Sequence, residues 1–222
     1  TFTYLMKGDG IHFVSHGGHG HVGAGGVQGM SAGNGVVHDE VMPKPFRDKG
    51  GDFYAFQFWV NLPAKNKAEA PNYMPVQKDD LPMIALPENA GFLKVLLGEF
   101  DGQSSPVPAF SEQFIWHVRL NPGAKTTLPT ETGHQHAGYL PVAEAIVSGA
   151  EIAALEFFLF EEDRLDIVLE NPTSEALDIM IFGGEPYMEP IVPHGPYIMN
   201  SVDEIRQAHL DFQQGKYGQI DY

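Results

Sequence analysis

His38 and Glu40 stand two residues apart at the end of the stretch Gly29-Met30-Ser31-Ala32-Gly33-Asn34-Gly35-Val36-Val37-His38-Asp39-Glu40. Positions i and i+2 of a strand share a face. A strand over 36–41 therefore projects an imidazole and a carboxylate together into whatever it lines, away from Val37, Asp39 and Val41. That pair suits a divalent metal such as Fe, Mn, Ni or Zn. Two protein donors leave most coordination positions to water, so the pair alone is expected to hold a metal weakly. Further ligands could come from His12, His16, His19 and His21. Glycine-rich segments often carry solvated or turn-stabilising histidines, and a surface role is expected for these four. His134-Gln135-His136, followed by Glu144, is a loose His-x-His arrangement; a vestigial or surface role is expected there rather than a second metal site.

Composition narrows the classes of function. The chain has 222 residues, 43% of them apolar and 11% aromatic, enough to bury ordinary globular cores. Thirteen basic residues against 29 acidic ones give a formal charge of −16, which repels phosphate backbones and anionic membranes; direct nucleic-acid binding is not expected. With no cysteine, disulfides and thiolate sites are excluded, any metal must sit on nitrogen and oxygen, and a reducing compartment is expected. No apolar run approaches the ~20 residues of a membrane-spanning helix, and no basic-then-apolar leader is present. The expectation is a cytoplasmic protein without membrane association. The sequence opens inside the alternating pattern Thr1-Phe2-Thr3-Tyr4-Leu5, and the natural N-terminus is expected to lie upstream.

Positioning the chemical residues requires strands. Short β-rich runs separated by Gly, Pro and Asn predict strands over 2–6, 11–14, 27–30, 36–41, 54–60, 92–100, 114–120, 143–147, 156–160, 164–170 and 177–183. Helical periodicity is clear once. Ser201 followed three residues later by Glu204 forms a capping box opening a helix that runs to about Gln214, where Gly215 stops it. Ile205, Ala208, His209 and Phe212 would make its packing stripe. The segment 61–87 lacks periodicity and is expected to connect two strand-rich regions. Phe56, Phe58 and Trp59 are expected in the core. Glycines 25, 26, 29, 33 and 35 lack the lysine and the strand-to-helix context of a nucleotide loop, and Glu161-Glu162-Asp163 reads as a solvated acidic turn.

Two long blocks stand out. The first is Val27-Gln28, then Met30 through Glu40, then Phe56-Gln57-Phe58-Trp59-Val60-Asn61-Leu62-Pro63. The second is Gly183-Gly184-Glu185-Pro186, Glu189-Pro190, His194-Gly195-Pro196-Tyr197-Ile198-Met199-Asn200 and Gly215-Lys216-Tyr217-Gly218. In order and content these blocks resemble the pirin family, and the resemblance covers essentially the whole chain.

The resemblance implies an all-β bicupin of the cupin superfamily: two tandem jelly-roll-like β-barrels with a C-terminal helix. The expected domains are a first cupin over 1–70, a linker over 71–87, a second cupin over 88–200, and a helix and tail over 201–222. Pirins hold one metal, commonly iron, on three histidines and a glutamate. His38 and Glu40 match the third histidine and the glutamate. The other two histidines belong to a His-Pro-His-Arg-Gly-Phe-Glu-Thr type motif that would fall immediately before Thr1. The implied cofactor is one divalent metal, Fe first, with Mn, Ni, Zn, Cu or Co as alternatives.

The implied activity is opening of a flavonol ring with dioxygen, as in quercetin 2,3-dioxygenases, with Glu40 as ligand and catalytic base. The alternative is an iron-dependent redox sensor, without enzymatic activity, that docks a transcription factor or a metabolic enzyme.

Overall fold

Alternation of apolar and polar residues between glycine-rich turns resolves into 21 short strands in the computed structural model, which describes residues 1–161 and 166–222. The chain divides into two compact units, the first comprising Thr1–Asp80 with Met188–Tyr222 and the second Leu81–Tyr187. In the first, β1 (Phe2–Lys7), β2 (Gly10–Val14), β3 (Gly18–Val22), β4 (Val27–Ser31) and β5 (His38–Val41) precede the short helix α1 (Lys44–Lys49), β6 (Tyr54–Phe58) and β7 (Asn72–Val76). They form an antiparallel sheet in the order β6-β1-β4-β7 and a second sheet in the order β3-β2-β5. Phe2, Tyr4, Leu5, Val14, Val22, Val27 and Val76 supply the buried apolar interior.

The second unit contains β8 (Met83–Ala85), β9 (Gly91–Leu97), β10 (Glu99–Phe100), β11 (Gln103–Ser104), β12 (Gln113–Leu120), β13 (Lys125–Pro129), β14 (Gln135–Tyr139), β15 (Ala145–Val147), β16 (Ala150–Ile152), β17 (Phe157–Leu159), β18 (Asp166–Glu170) and β19 (Leu177–Gly184). A six-stranded sheet, β17-β14-β19-β12-β9-β8, and a four-stranded one, β13-β18-β15-β16, enclose one apolar core. Leu93, Val95, Val118 and Leu120 meet Ile167, Leu169, Ile179 and Ile181 there. Both units are antiparallel sandwiches of the jelly-roll kind, as the resemblance implied.

The chain then returns to the first unit through β20 (Val192–His194), β21 (Tyr197–Met199) and α2 (Val202–Gln213). Ser201 caps α2 by accepting the Glu204 N–H at 3.2 Å. The Glu204 carboxylate accepts in return from the Asn200 N–H at 2.9 Å and the Ser201 hydroxyl at 3.0 Å. This is the expected reciprocal cap. Ile205 and Ala208 are buried, and His209 packs edge-on against Tyr197. Phe212 lies outside the stripe, 53% exposed.

Several expectations are corrected. The segment 71–87 is not a bare linker: β7 pairs with β4 in the first unit, β8 pairs with β9 in the second, and the boundary falls between them. Residues 188–222 belong with the first unit rather than forming the end of the second domain plus a separate tail. Trp59 is 54% exposed and outside the core, while Phe56 and Phe58 are half-buried. Most of the acidic turn Glu161-Glu162-Asp163, and the start of the strand expected from 164, lie outside the described residues.

Charged pairing in the second unit centres on Asp178 of β19. Its carboxylate accepts from His117 Nε2 at 2.9 Å and from Arg119 Nη1 at 2.7 and 2.6 Å. Burial works against the Asp178 charge, but hydrogen bonds from His117 and Arg119, with their charges, outweigh it and hold the carboxyl below its ordinary value. A depressed folded pKa contributes stability that is present above the ordinary carboxyl value and lost as pH falls through the folded one. Asp178→Ala should therefore destabilise the chain by about 2 kcal/mol at neutral pH, because it removes the acceptor of buried His117 and of partly exposed Arg119. The gap to wild type should close below about pH 4, which urea denaturation across pH would measure.

Candidate metal centre

The site is assembled by pairing between β2 and β5. Their register sets His12 opposite Glu40 and Val14 opposite His38, so His12, His38 and Glu40 share one face of the three-stranded sheet. His12 Nε2 lies 2.9 Å from His38 Nδ1, and one donor atom from each of the three residues falls within 4.8 Å of the others. Among the described residues this is the one His, Asp and Glu group of three or more with metal-ligand proximity. Glu40 is held from both sides: its Oε1 accepts the Thr3 hydroxyl at 3.1 Å and its Oε2 accepts the Gln57 amide at 2.9 Å. Gln57 also donates to Thr3 Oγ1 at 3.2 Å, and its own Oε1 accepts the Trp59 indole N–H at 3.3 Å.

Electrostatics favour the ligand forms. Burial pushes the His12 imidazole down to about 4, against the raising influence of Glu40. Burial likewise lowers His38. Both rings are therefore neutral near pH 7 and have a lone pair to offer. Tyr73 packs edge-on against His12 at 4.8 Å and is itself raised to about 12 by burial and the Glu40 charge. His12 Nδ1 and Gln28 Oε1 are both buried without a well-formed partner, and they are complementary as donor and acceptor. The Gln28 side chain acts on the His12 ring and favours the tautomer with Nε2 facing the site. Two neutral imidazoles and a carboxylate match the donor chemistry of a mononuclear divalent centre with open positions. The residues present fit such an ion.

His38 and Glu40 share a face, as their spacing predicts. Both nevertheless remain solvent-exposed rather than enclosed. His12 departs from its expected surface role and is 1% exposed. Its position opposite Glu40 gives the centre a third donor. The clue lay in the predicted strand 11–14, where alternation places His12 with Val14 on the buried face. Nothing in the sequence said which strand it would pair with. His16, His19 and His21 are exposed, as expected. His136 is buried, His134 is half-buried against Glu112, and Glu144 is exposed. Thr3, Gln28, Gln57 and Tyr73 were not identified as site residues, because their roles depend on neighbours distant in sequence.

Fold and site together define a cupin-type protein with a His-His-Glu cluster. Residues 1–60 match the model of the pirin family, and residues 115–218 that of the pirin C-terminal cupin domain. A Pseudomonas aeruginosa protein named "Putative quercetin 2,3-dioxygenase" is 35% identical over 98% of this chain and 75% of its own length. Pirin-1 of Arabidopsis thaliana is 32% identical over the same shares of the two chains. A crystal structure of quercetin 2,3-dioxygenase from Acinetobacter baumannii superposes with a TM-score of 0.93 at 32% identity, covering 99% of this chain and 76% of that one. The chain belongs to the pirin family. Among the described residues, no helix is long and apolar enough to cross a membrane.

Proposed function

We propose that this chain is a dioxygenase of the quercetin 2,3-dioxygenase type, dependent on one divalent metal, with iron the first candidate. The observation that carries the reading is the His12, His38 and Glu40 cluster, with Glu40 positioned by Thr3 and Gln57. The names its relatives carry support the substrate class. When bound, the metal would be held by these residues and would supply Lewis acidity and a redox centre for dioxygen. Glu40 accepts the proton of the flavonol 3-hydroxyl. Thr3 and Gln57 keep its two oxygens oriented, so little reorganisation accompanies that transfer. His12, buried and neutral, keeps the inner side of the site dry, while exposed His38 and Trp59 leave the outer side open to a flat aromatic molecule.

Metal-loaded protein mixed with quercetin in air should bleach the flavonol's visible absorption and release carbon monoxide, and should do neither without dioxygen. No bleaching by metal-replete protein would reject the ring-opening reading. Saturable quercetin binding without turnover would favour the regulator. That second reading draws support from the exposure of His38 and Glu40, which a docking protein could contact directly, and from the charge of −16, which suits a basic partner.

A further inference from the structure

The second unit contains a cavity of about 1000 Å³ that the proposed oxygen chemistry does not use. Part of its wall is aromatic: Phe114 stacks on Trp116 at 4.0 Å, and Phe100 meets Trp116 edge-on at 4.9 Å. His136 also lines it, 4% exposed, with Nε2 buried and without a hydrogen-bond partner. The rim carries Glu99, Asp101, Glu112 and Glu131, and among the described residues no lysine or arginine lines the cavity.

We propose that this cavity binds a small planar phenol without negative charge, whose hydroxyl donates to His136 Nε2. The site is separate from the His12, His38 and Glu40 centre and does not depend on a metal there. A backbone hydrogen bond at His134 involves the His136 ring, and burial and the neighbouring His134 lower its basicity. A neutral imidazole whose Nδ1–H is satisfied leaves Nε2 as an acceptor only. Leaving a buried acceptor unpaired is unfavourable, and an occupant that brings a donor removes the deficit. Phe114, with its ring centroid 5.6 Å from that of His136, offers an aromatic surface beside the acceptor. Of the four carboxylates Glu112 is paired with His134 at 3.1 Å, and Glu99, Asp101 and Glu131, with no lysine or arginine among the described lining residues, repel an anionic ligand and admit a neutral one. The volume lies at the upper end of small-molecule pockets and accommodates one ring or several. Because Nε2 is shielded in this structure, entry of the hydroxyl involves a small movement of the His136 or Phe114 ring.

The test keeps the chain intact and varies the ligand. 4-Ethylphenol, 4-ethylanisole and 4-hydroxyphenylacetate are titrated into the full chain labelled with ¹⁵N at histidine, with the His136 resonances assigned from a His136→Gln variant. 4-Ethylphenol should bind saturably and shift the His136 Nε2 resonance. The methyl ether, which keeps the shape but lacks the donor, should bind at least tenfold more weakly, and so should the acid. His38→Ala should leave phenol binding unchanged, so failure of the metal reading and failure of this one remain distinguishable. Absence of saturable 4-ethylphenol binding would overturn the proposal, as would equal binding of the ether or shifts confined to His12 and His38.

Discussion

His38→Ala is expected to abolish stoichiometric divalent metal binding while leaving the chain folded. The substitution leaves His12 Nε2 and Glu40 as the protein donors of the cluster. Loss of an inner ligand should weaken binding by more than the roughly 10- to 100-fold that loss of an outer-shell partner costs. His38 is exposed, and exposed substitutions usually change stability by only about 0.5 kcal/mol. Glu40→Ala should have the same effect on the metal and additionally release Thr3 and Gln57 from their acceptor. His12→Ala should weaken metal binding at least tenfold and also lower stability, since it opens a cavity beside Tyr73. Metal content after dialysis, together with the rise in Tm on adding metal, would measure all three. Full occupancy in His38→Ala would show that the metal sits elsewhere.

Gly35→Ala is expected to destabilise the chain by about 3 kcal/mol or more. Gly35 has φ +115°, a conformation L-residues rarely adopt, and an added Cβ would fall 2.1 Å from Cε1 of the buried Tyr217 ring. Backbone strain contributes about 1–3 kcal/mol, and overpacking contributes a similar amount. The backbone here leads directly into β5. The Ser15 hydroxyl donates to the Tyr217 carbonyl at 2.5 Å and accepts the Val37 N–H at 3.0 Å, so displacing Tyr217 disturbs the approach to His38. Metal affinity should fall along with stability. Gly17→Ala is the control: φ is +91° there, but nothing lies within 4 Å of the added carbon. Urea denaturation of both variants separates conformational strain from the clash with Tyr217. Equal losses would show that the Tyr217 ring yields.

Much of the site's chemistry could be read directly from the sequence. A period of two places His38 and Glu40 on one face wherever their strand lies, and reciprocal capping by Ser201 and Glu204 is a local matter of three residues. Both follow from backbone geometry that adjacent residues determine. The strands that escaped prediction lacked that local signal. β3 is Gly18-His19-Gly20-His21-Val22, poor in residues with intrinsic strand preference, and β7 carries Pro75 at the edge of its sheet. Each becomes a strand because a partner's backbone groups require hydrogen bonds, a requirement set by a neighbour remote in sequence.

The sequence by itself determined the donor types, the family and the all-β class, because composition, alternation and long motifs are properties of the chain. Only the tertiary structure decided that His12 rather than His16, His19 or His21 stands opposite Glu40. It also decided that Thr3 and Gln57 hold the carboxylate, and that residues 188–222 close the first unit rather than extend the second. The physical reason is that pairing register is chosen by which apolar faces can be buried together. Residues 26 to 202 positions apart, such as His12 with His38 and Ser15 with Tyr217, become neighbours only when that choice is made.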